Sequence, residues 1–133
     1  MGKKRHDFNN IYPSSPISSR GVQSGNLLFI SGITANKSDA KGGTPMQQLR
    51  VILDRITRMV ADGGGKTSDI VKLSTYVTNI DEWFPIEGEH VNVYDEFFGD
   101  KKPANLIVEV NRLEAPGLDI EIEALAILES HQD

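Results

Sequence analysis

The chain has 133 residues, a formal net charge of -5 and no cysteine, so we expect one domain without disulfide bonds or thiolate chemistry. The negative charge is unfavourable for a phosphate-rich partner, because nucleic-acid binding normally needs a basic surface, and no nucleic-acid partner is expected. The basic start, residues 2–6, is not followed by a long apolar run, so we expect neither a secretory signal nor a membrane span, and a cytoplasmic location.

The first part of the chain predicts a frayed segment and then a hairpin. Residues 1–16 are expected to form a partly flexible N-terminal extension. Strands over about residues 18–23 and 27–31 are joined by a turn at residues 24–26, where glycine and asparagine tolerate the positive φ that tight turns need. Because both faces of the second strand are largely apolar, we expect it to be central and buried on both sides.

The next stretch has the pattern of an amphipathic helix. Thr44 is the predicted N-cap, Pro45 the first helical residue and Gln47 the partner of a capping box. Apolar residues then recur at spacings of three and four, which gives one stripe that should lie on a sheet. The glycines at residues 63–65 end the helix.

A strand is predicted over residues 70–78, with Val71, Leu73, Thr75 and Val77 facing the helices. A second helix is expected to open at Pro85 and to end at Gly99 and Asp100. Its predicted inner stripe consists of Ile86, His90, Val93, Tyr94 and Phe97.

The last two strands alternate with period two. In the final run, Ile120, Ile122, Ala124 and Ala126 share one face, and Glu121, Glu123, Leu125 and Ile127 share the other. In the run before it, we expect Asn105, Ile107 and Glu109 to lie on the same face as Glu121 and Glu123. This face would then combine a polar cleft with an apolar contact.

The order of elements, β-β-α-β-α-β-β, predicts an α+β domain with both helices on one side of the sheet. Ile107, Leu125 and Ile127 would lie on the uncovered face, where exposure costs about 25 cal/mol per Å². The pattern therefore predicts association with other copies of the chain, and it leaves the number of subunits open.

Several segments together resemble the Rid (reactive intermediate deaminase) proteins, also called the YjgF family. At the C-terminal end the resemblance lies in Pro103-Ala104, Val108-Glu109-Val110, Arg112-Leu113 and the run IEIEALA at residues 120–126. Upstream it lies in GNLLFISG at residues 25–32, IVKLSTYVTNI at residues 70–80, and VNVY at residues 91–94 with Phe97-Phe98. The resemblance implies a domain over residues 17–128, followed by a tail of residues 129–133.

What the resemblance implies goes beyond the fold. Rid proteins have a mixed, chorismate-mutase-like sheet with two helices on one face, and they form homotrimers with clefts at the subunit boundaries. They hydrolyse enamine and imine intermediates made by pyridoxal-phosphate enzymes, without a metal or cofactor of their own. The implied partner is a small-molecule metabolite.

The resemblance also implies site residues. Glu121 matches the family carboxylate that places the water or the amino group; the alternative is a solvated or lysine-paired carboxylate. The expected binding residues are Ser18, Ser31, Gly32, Asn92 and Asn105, together with Arg20, which is added from strand alternation and not from the resemblance. No metal ligands are expected, because His6, His90 and His131 are scattered without ligand spacing.

Two of these positions depart from the family pattern. Asn105 stands where active members have an arginine that clamps the substrate carboxylate, and Ser18 stands where a tyrosine lines the cleft. Arg20 shares a strand face with Ser18 and could supply the cation, or it could be a surface arginine paired with a glutamate. Arg112 is expected to anchor the link between the last strands.

Three functions remain open at this point. The first is a Rid-like deaminase or related hydrolase with a non-standard substrate, because Asn105 lacks the bidentate guanidinium group that suits carboxylates. The second is a trimer that binds a small metabolite without turning it over. The third, more distant, is an endoribonuclease, which the charge balance does not support.

Overall fold

The computed structural model describes residues 2–129, which form a six-stranded sheet and two helices. The strands are β1 (Lys4–His6), β2 (Gly21–Ser24), β3 (Leu27–Ile33), β4 (Ile70–Val77), β5 (Ala104–Glu109) and β6 (Ile120–Ile127). The helices are α1 (Pro45–Asp62) and α2 (Glu89–Phe98), and single 3-10 turns occupy Thr67–Asp69 and Ile80–Glu82. The strand order is β1-β2-β3-β6-β4-β5; β4 and β5 run parallel and the other neighbours antiparallel. The predicted α+β class with a mixed sheet is confirmed.

Helix α1 begins as its sequence predicts. The Thr44 hydroxyl accepts a hydrogen bond from the Gln47 backbone N–H at 3.2 Å, and the Gln47 side chain accepts one from the Thr44 N–H at 2.9 Å. These two bonds satisfy donors that the first helical turn leaves free. The apolar stripe of α1 is buried against the sheet, with Leu49, Ile52, Leu53 and Ile56 all fully buried.

The N-terminal segment is ordered, and the expectation of a frayed start is wrong for residues 4–12. β1 pairs antiparallel with β2 at the edge of the sheet, and Phe8 and Tyr12 are buried in the core. The Tyr12 ring lies under two guanidinium groups, Arg20 at 4.2 Å and Arg55 at 4.3 Å from its centroid. Its hydroxyl is 3.1 Å from the hydroxyl of Thr34. These contacts join residues that are far apart in the sequence, and so the local sequence pattern does not predict them. The strand predicted to begin at residue 18 is β2, and it begins three residues later, at Gly21.

Helix α2 starts at Glu89, four residues after the predicted start at Pro85. Gly88, with φ of 59°, is the N-cap, a backbone conformation that favours glycine. Ile86 therefore lies outside the helix and is 44% exposed, while Val93 and Phe98 provide the buried contacts.

A bulge near the start of β4 changes the predicted faces of that strand. The pairing of β4 with β6 shifts between Ile70 and Lys72, so that Val71 is an extra residue. Ile70 is therefore buried on the helix side, and Val71 is 37% exposed on the other side. Beyond the bulge, Leu73, Thr75 and Val77 face the helices as predicted.

The register of β5 against β4 reverses the predicted faces of β5. Asn105, Ile107 and Glu109 pair with Leu73, Thr75 and Val77, and so they lie on the helix side of the sheet. Glu121 and Glu123 pair with Tyr76 and Ser74 and lie on the opposite side. The prediction that Asn105 shares a face with Glu121 is therefore wrong for a single chain.

Both helices pack on one face of the sheet, and we call the other face the open face. Apolar side chains on it are substantially exposed in the single chain, including Phe29 at 48% and Leu106 at 50%. The predicted burial of β3 on both sides is thus not met within one chain, although β3 does lie inside the sheet. Leu125 and Ile127 are on this face as predicted, whereas Ile107 is partly buried against the helix-side core. Among residues 2–129, no helix has the length and apolar character needed to cross a bilayer.

Candidate functional site

Glu121 lies on the open face, opposite a bulge in β3. Ile30 pairs with Ala124 and Ile33 with Ile122, so β3 accommodates one extra residue in the stretch that contains Ser31 and Gly32. A β-carbon on Gly32 would lie 2.1 Å from Oε2 of Glu121, and so the carboxyl group can occupy this position only beside glycine. Bulges of this kind often direct side chains at active sites.

The surroundings of Glu121 favour its protonated form. Burial is the largest influence and raises the pKa of the Glu121 carboxyl above its usual range. The nearby carboxylates of Glu114 and Glu123 raise it further, and Arg20 partly opposes them. A carboxyl with a raised pKa can exchange a proton at a pH where ordinary carboxyls stay ionised.

A cavity of about 370 Å³ opens beside this carboxyl. We call it the Glu121 cavity, and its lining residues are Gly32, Tyr76, Val110, Arg112, Leu113, Glu121 and Glu123. Tyr76 and Arg112 were not among the predicted site residues. Their place depends on the pairing of β4 with β6 and on the loop before β6, which the alternation within one strand does not reveal.

Arg20 is held by backbone carbonyl groups. Its Nε donates to the carbonyl oxygens of Tyr12 and Pro13, both at 3.1 Å, and Nη1 donates to that of Gly32 at 3.0 Å. It forms no ion pair with a carboxylate of residues 2–129, so the surface ion pair proposed from sequence is wrong. Arg20 lies on the Glu121 side of the chain, where it affects the pKa of Glu121, and its role as a substitute clamp stays a prediction.

Asn105 lies across the sheet from Glu121, in a separate depression between α2 and β5. This depression, the α2–β5 pocket, has a volume of about 270 Å³ and is lined by Ile86, Val91, Tyr94, Lys102, Pro103, Asn105 and Ile107. The Asn105 Oδ1 accepts a hydrogen bond of 2.9 Å from the Thr75 hydroxyl. Burial raises the pKa of Tyr94 to about 12, an effect that Asn105 partly offsets.

The other predicted residues divide between these regions. Ser31 belongs to the Glu121 side, where its hydroxyl donates to the Arg20 carbonyl oxygen at 2.9 Å. Ser18 is exposed in a turn, with its hydroxyl 2.9 Å from that of Ser15. Asn92 is exposed on α2. The fold therefore brings Ser31, Gly32, Arg20 and Glu121 together and separates them from Asn105.

The histidines have structural contacts where the structure describes them. His6 Nε2 is 2.9 Å from Oε1 of Gln23, and its ring stacks on Phe8. His90 meets the Trp83 ring edge to face, with ring centroids 4.9 Å apart. His131 lies outside the described residues, as does the predicted tail beyond Glu129.

Comparison with known proteins identifies the family. The family model described as Endoribonuclease L-PSP matches residues 8–128. A crystal structure of a member of the YjgF/YER057c/UK114 family from Mycobacterium tuberculosis superimposes with a TM-score of 0.78 at 31% identity, covering 96% of this chain and 100% of that one. The chain belongs to the YjgF/Rid family. The resemblance noted in the sequence motifs is thus confirmed, and the match begins before residue 17, consistent with the ordered N-terminal segment.

Two relatives of this YjgF/Rid chain align with most of its length. A RutC family protein of Pyrococcus horikoshii is 33% identical over 114 residues, which are 84% of this chain and 86% of the relative. The 2-iminobutanoate/2-iminopropanoate deaminase of Escherichia coli is 33% identical over 113 residues, which are 81% of this chain and 84% of the relative.

Replacing Gly32 with alanine should displace the Glu121 carboxyl without unfolding the chain. The new methyl group would overlap Oε2, which belongs to a flexible side chain that can rotate away. We expect the carboxyl carbon resonance of Glu121 to shift in NMR spectra of Gly32→Ala. Gly25→Ala is the control for a glycine substitution away from the site, since a β-carbon there meets nothing within 4 Å and only its φ of 60° adds strain. An unchanged Glu121 resonance in Gly32→Ala would contradict the close approach.

Replacing Glu121 with glutamine should stabilise the protein at neutral pH. Because the pKa of Glu121 is higher in the folded state, ionisation of this group reduces stability as pH rises from the unfolded-state pKa through the folded-state pKa. Glutamine removes this loss, so the gain should be present at pH 7 and absent at a pH below the unfolded-state pKa. Urea unfolding at both pH values measures it, and equal effects at the two would show that the gain has another cause.

Proposed function

We propose that this protein is a deaminase that hydrolyses a small imine or enamine, without a cofactor of its own, in a cleft between subunits. The observation that carries the proposal is the half-buried Glu121, which rests against Gly32 beside a cavity of about 370 Å³. The name of the Escherichia coli relative supports the class of reaction.

The chemistry requires little beyond proton transfer and positioning. An enamine first becomes the imine by taking a proton on carbon and losing one from nitrogen. Water then adds to the C=N carbon to form a carbinolamine as one proton passes from the water to the nitrogen. The C–N bond breaks when the nitrogen gains a second proton and the hydroxyl loses its own, which gives a carbonyl compound and ammonia. Glu121 can serve both steps, first as proton acceptor from water and then as donor to the leaving nitrogen, because its carboxyl borders the cavity and burial raises its pKa above the usual range.

A cleft that contains both Glu121 and Asn105 needs two chains. Within one chain these residues face opposite sides of the sheet, so a small substrate that touches both must lie between neighbouring copies. We propose a homotrimer, as the family resemblance implies, with the open faces directed inward. We also propose that it works in the cytoplasm.

A panel of imines produced enzymatically tests this function. Ammonia release above the rate of spontaneous hydrolysis on at least one imine is the expected result. If every imine decays at the uncatalysed rate although one binds, the protein is a metabolite-binding trimer and the deaminase proposal is wrong.

Asn105 is expected to limit activity on 2-aminoacrylate, the product of serine dehydratase. A neutral amide in place of a charged partner for the substrate carboxylate typically costs about 2 to 5 kcal/mol in a desolvated site. The wild type should therefore be slow, and Asn105→Arg should accelerate ammonia release by roughly 10-fold or more. Asn111→Arg adds the same charge at an exposed residue and serves as control. Rapid turnover by the wild type would show that no guanidinium group is needed at residue 105.

A further inference from the structure

The α2–β5 pocket presents no free charge to a ligand. Its charged lining residue is Lys102, and the ammonium group of Lys102 lies 2.6 Å from Oδ1 of Asp95. The same ammonium donates a hydrogen bond to the Gly99 carbonyl oxygen. Asp95 offsets the charge of the ammonium and the Gly99 carbonyl oxygen is a second acceptor, so a ligand carboxylate would have to compete with both for this cation.

Asn105 contributes an amide group to this pocket, and a hydrogen bond from Thr75 on the neighbouring strand fixes the orientation of that amide. The hydroxyl of Thr75, a fully buried residue, donates to Asn105 Oδ1 at 2.9 Å. The oxygen end of the amide is thereby occupied within the protein. The Nδ2 end interacts with the Tyr94 hydroxyl, which partly offsets the effect of burial on the pKa of that phenol, and Nδ2 carries a second N–H. Because Asn105 is exposed, the amide offers a hydrogen-bond donor to a molecule that enters the pocket.

The remaining walls are apolar or uncharged. Ile86 and Val91 are 44% and 39% exposed in the single chain, and they border the pocket with Ile107. Tyr94 contributes its ring, and its phenol stays neutral at physiological pH because burial raises its pKa to about 12. An anion in this pocket would lose hydration and would have to compete with Asp95 for the Lys102 ammonium, which is costly.

We propose that the α2–β5 pocket binds the uncharged end of a small ligand. A neutral carbonyl or amide oxygen would accept a hydrogen bond from Asn105 Nδ2, and a short branched hydrocarbon would pack against Ile86, Val91 and Ile107. This inference rests on the proposed function, because it takes Asn105 as part of the substrate site, and it assigns that site an imine or enamine with a neutral acceptor in place of a carboxylate.

Isovaleramide and isovalerate test the inference, because they have nearly the same shape and differ in charge. Binding to the full chain is followed by NMR through the Asn105 side-chain NH₂ resonances and the backbone amides of residues 102–107. The expected result is a Kd for isovaleramide at least about 10-fold lower than that for isovalerate. Asn105→Leu should abolish the preference, Asn105→Arg should reverse it, and Asn111→Leu, at an exposed residue outside the pocket, should leave it unchanged.

The outcomes separate this inference from the proposed function. Equal or tighter binding of isovalerate by the wild type, or no shift of pocket resonances with either compound, overturns the neutral-ligand assignment even if the imine panel shows turnover. Selective binding of isovaleramide without turnover of any imine supports the pocket and overturns the deaminase proposal.

Discussion

Glu121→Gln is expected to lower the rate of imine hydrolysis by about 100-fold or more, the usual contribution of a positioned general acid or base. Glutamine has nearly the same shape and can still donate a hydrogen bond, but it cannot take a proton from water or give one to the leaving nitrogen. The measurement is steady-state ammonia release from the imine on which the wild type is fastest. Urea unfolding of the same variant, which should be more stable at neutral pH, distinguishes a loss of activity from a loss of fold.

Glu82→Gln provides the matched control for this experiment. Glu82 is exposed in the Ile80–Glu82 turn and lines neither the Glu121 cavity nor the α2–β5 pocket, so the same chemical change there should leave the rate unaltered. If Glu121→Gln retains the wild-type rate, then Glu121 is a partly buried structural carboxylate and another group carries the proton.

Phe29→Asp is expected to convert the protein from a trimer to a monomer. Phe29 is 48% exposed on the open face, beside β6, and the proposed assembly buries this face. A carboxylate at residue 29 would have to lose its hydration without a partner on assembly, which costs several kcal/mol for each subunit. Light scattering at micromolar concentration should show the mass fall to about one third of the wild-type value.

Ile17→Asp is the control for this substitution. Ile17 is 94% exposed and lies in the turn region before β2, outside the strands that form the open face, so a carboxylate there should leave the mass unchanged. A wild-type chain that is itself monomeric would refute the proposed assembly, and with it a cleft that joins Glu121 to Asn105.

The sequence by itself determined the features that depend on neighbouring residues. The capping box of Thr44 and Gln47 begins α1 because its two hydrogen bonds lie within one helical turn. The two-residue turn after Ser24 follows from the positive φ of 60° that Gly25 adopts. The alternation along β6 places Glu121 and Leu125 on one face, because successive side chains of a strand point to opposite sides. The family motifs are equally local, which is why they identified the fold.

The tertiary structure decided the features that depend on pairing between distant segments. β1 and the buried Tyr12 need partners from β2 and from α1, so the sequence around them shows no strong local signal. The alternation within β5 tells which of its residues share a face, but only the pairing with β4 tells which side of the sheet that face is on. This pairing places Asn105 on the helix side, whereas Glu121 lies on the open face. The pKa of Glu121 likewise depends on burial and on the charge of Glu114, which both raise it, and on Arg20, which lowers it, and these residues lie on separate parts of the chain before folding. A carboxylate motif can be read from sequence, whereas the environment that adjusts its proton affinity exists only once the sheet has formed.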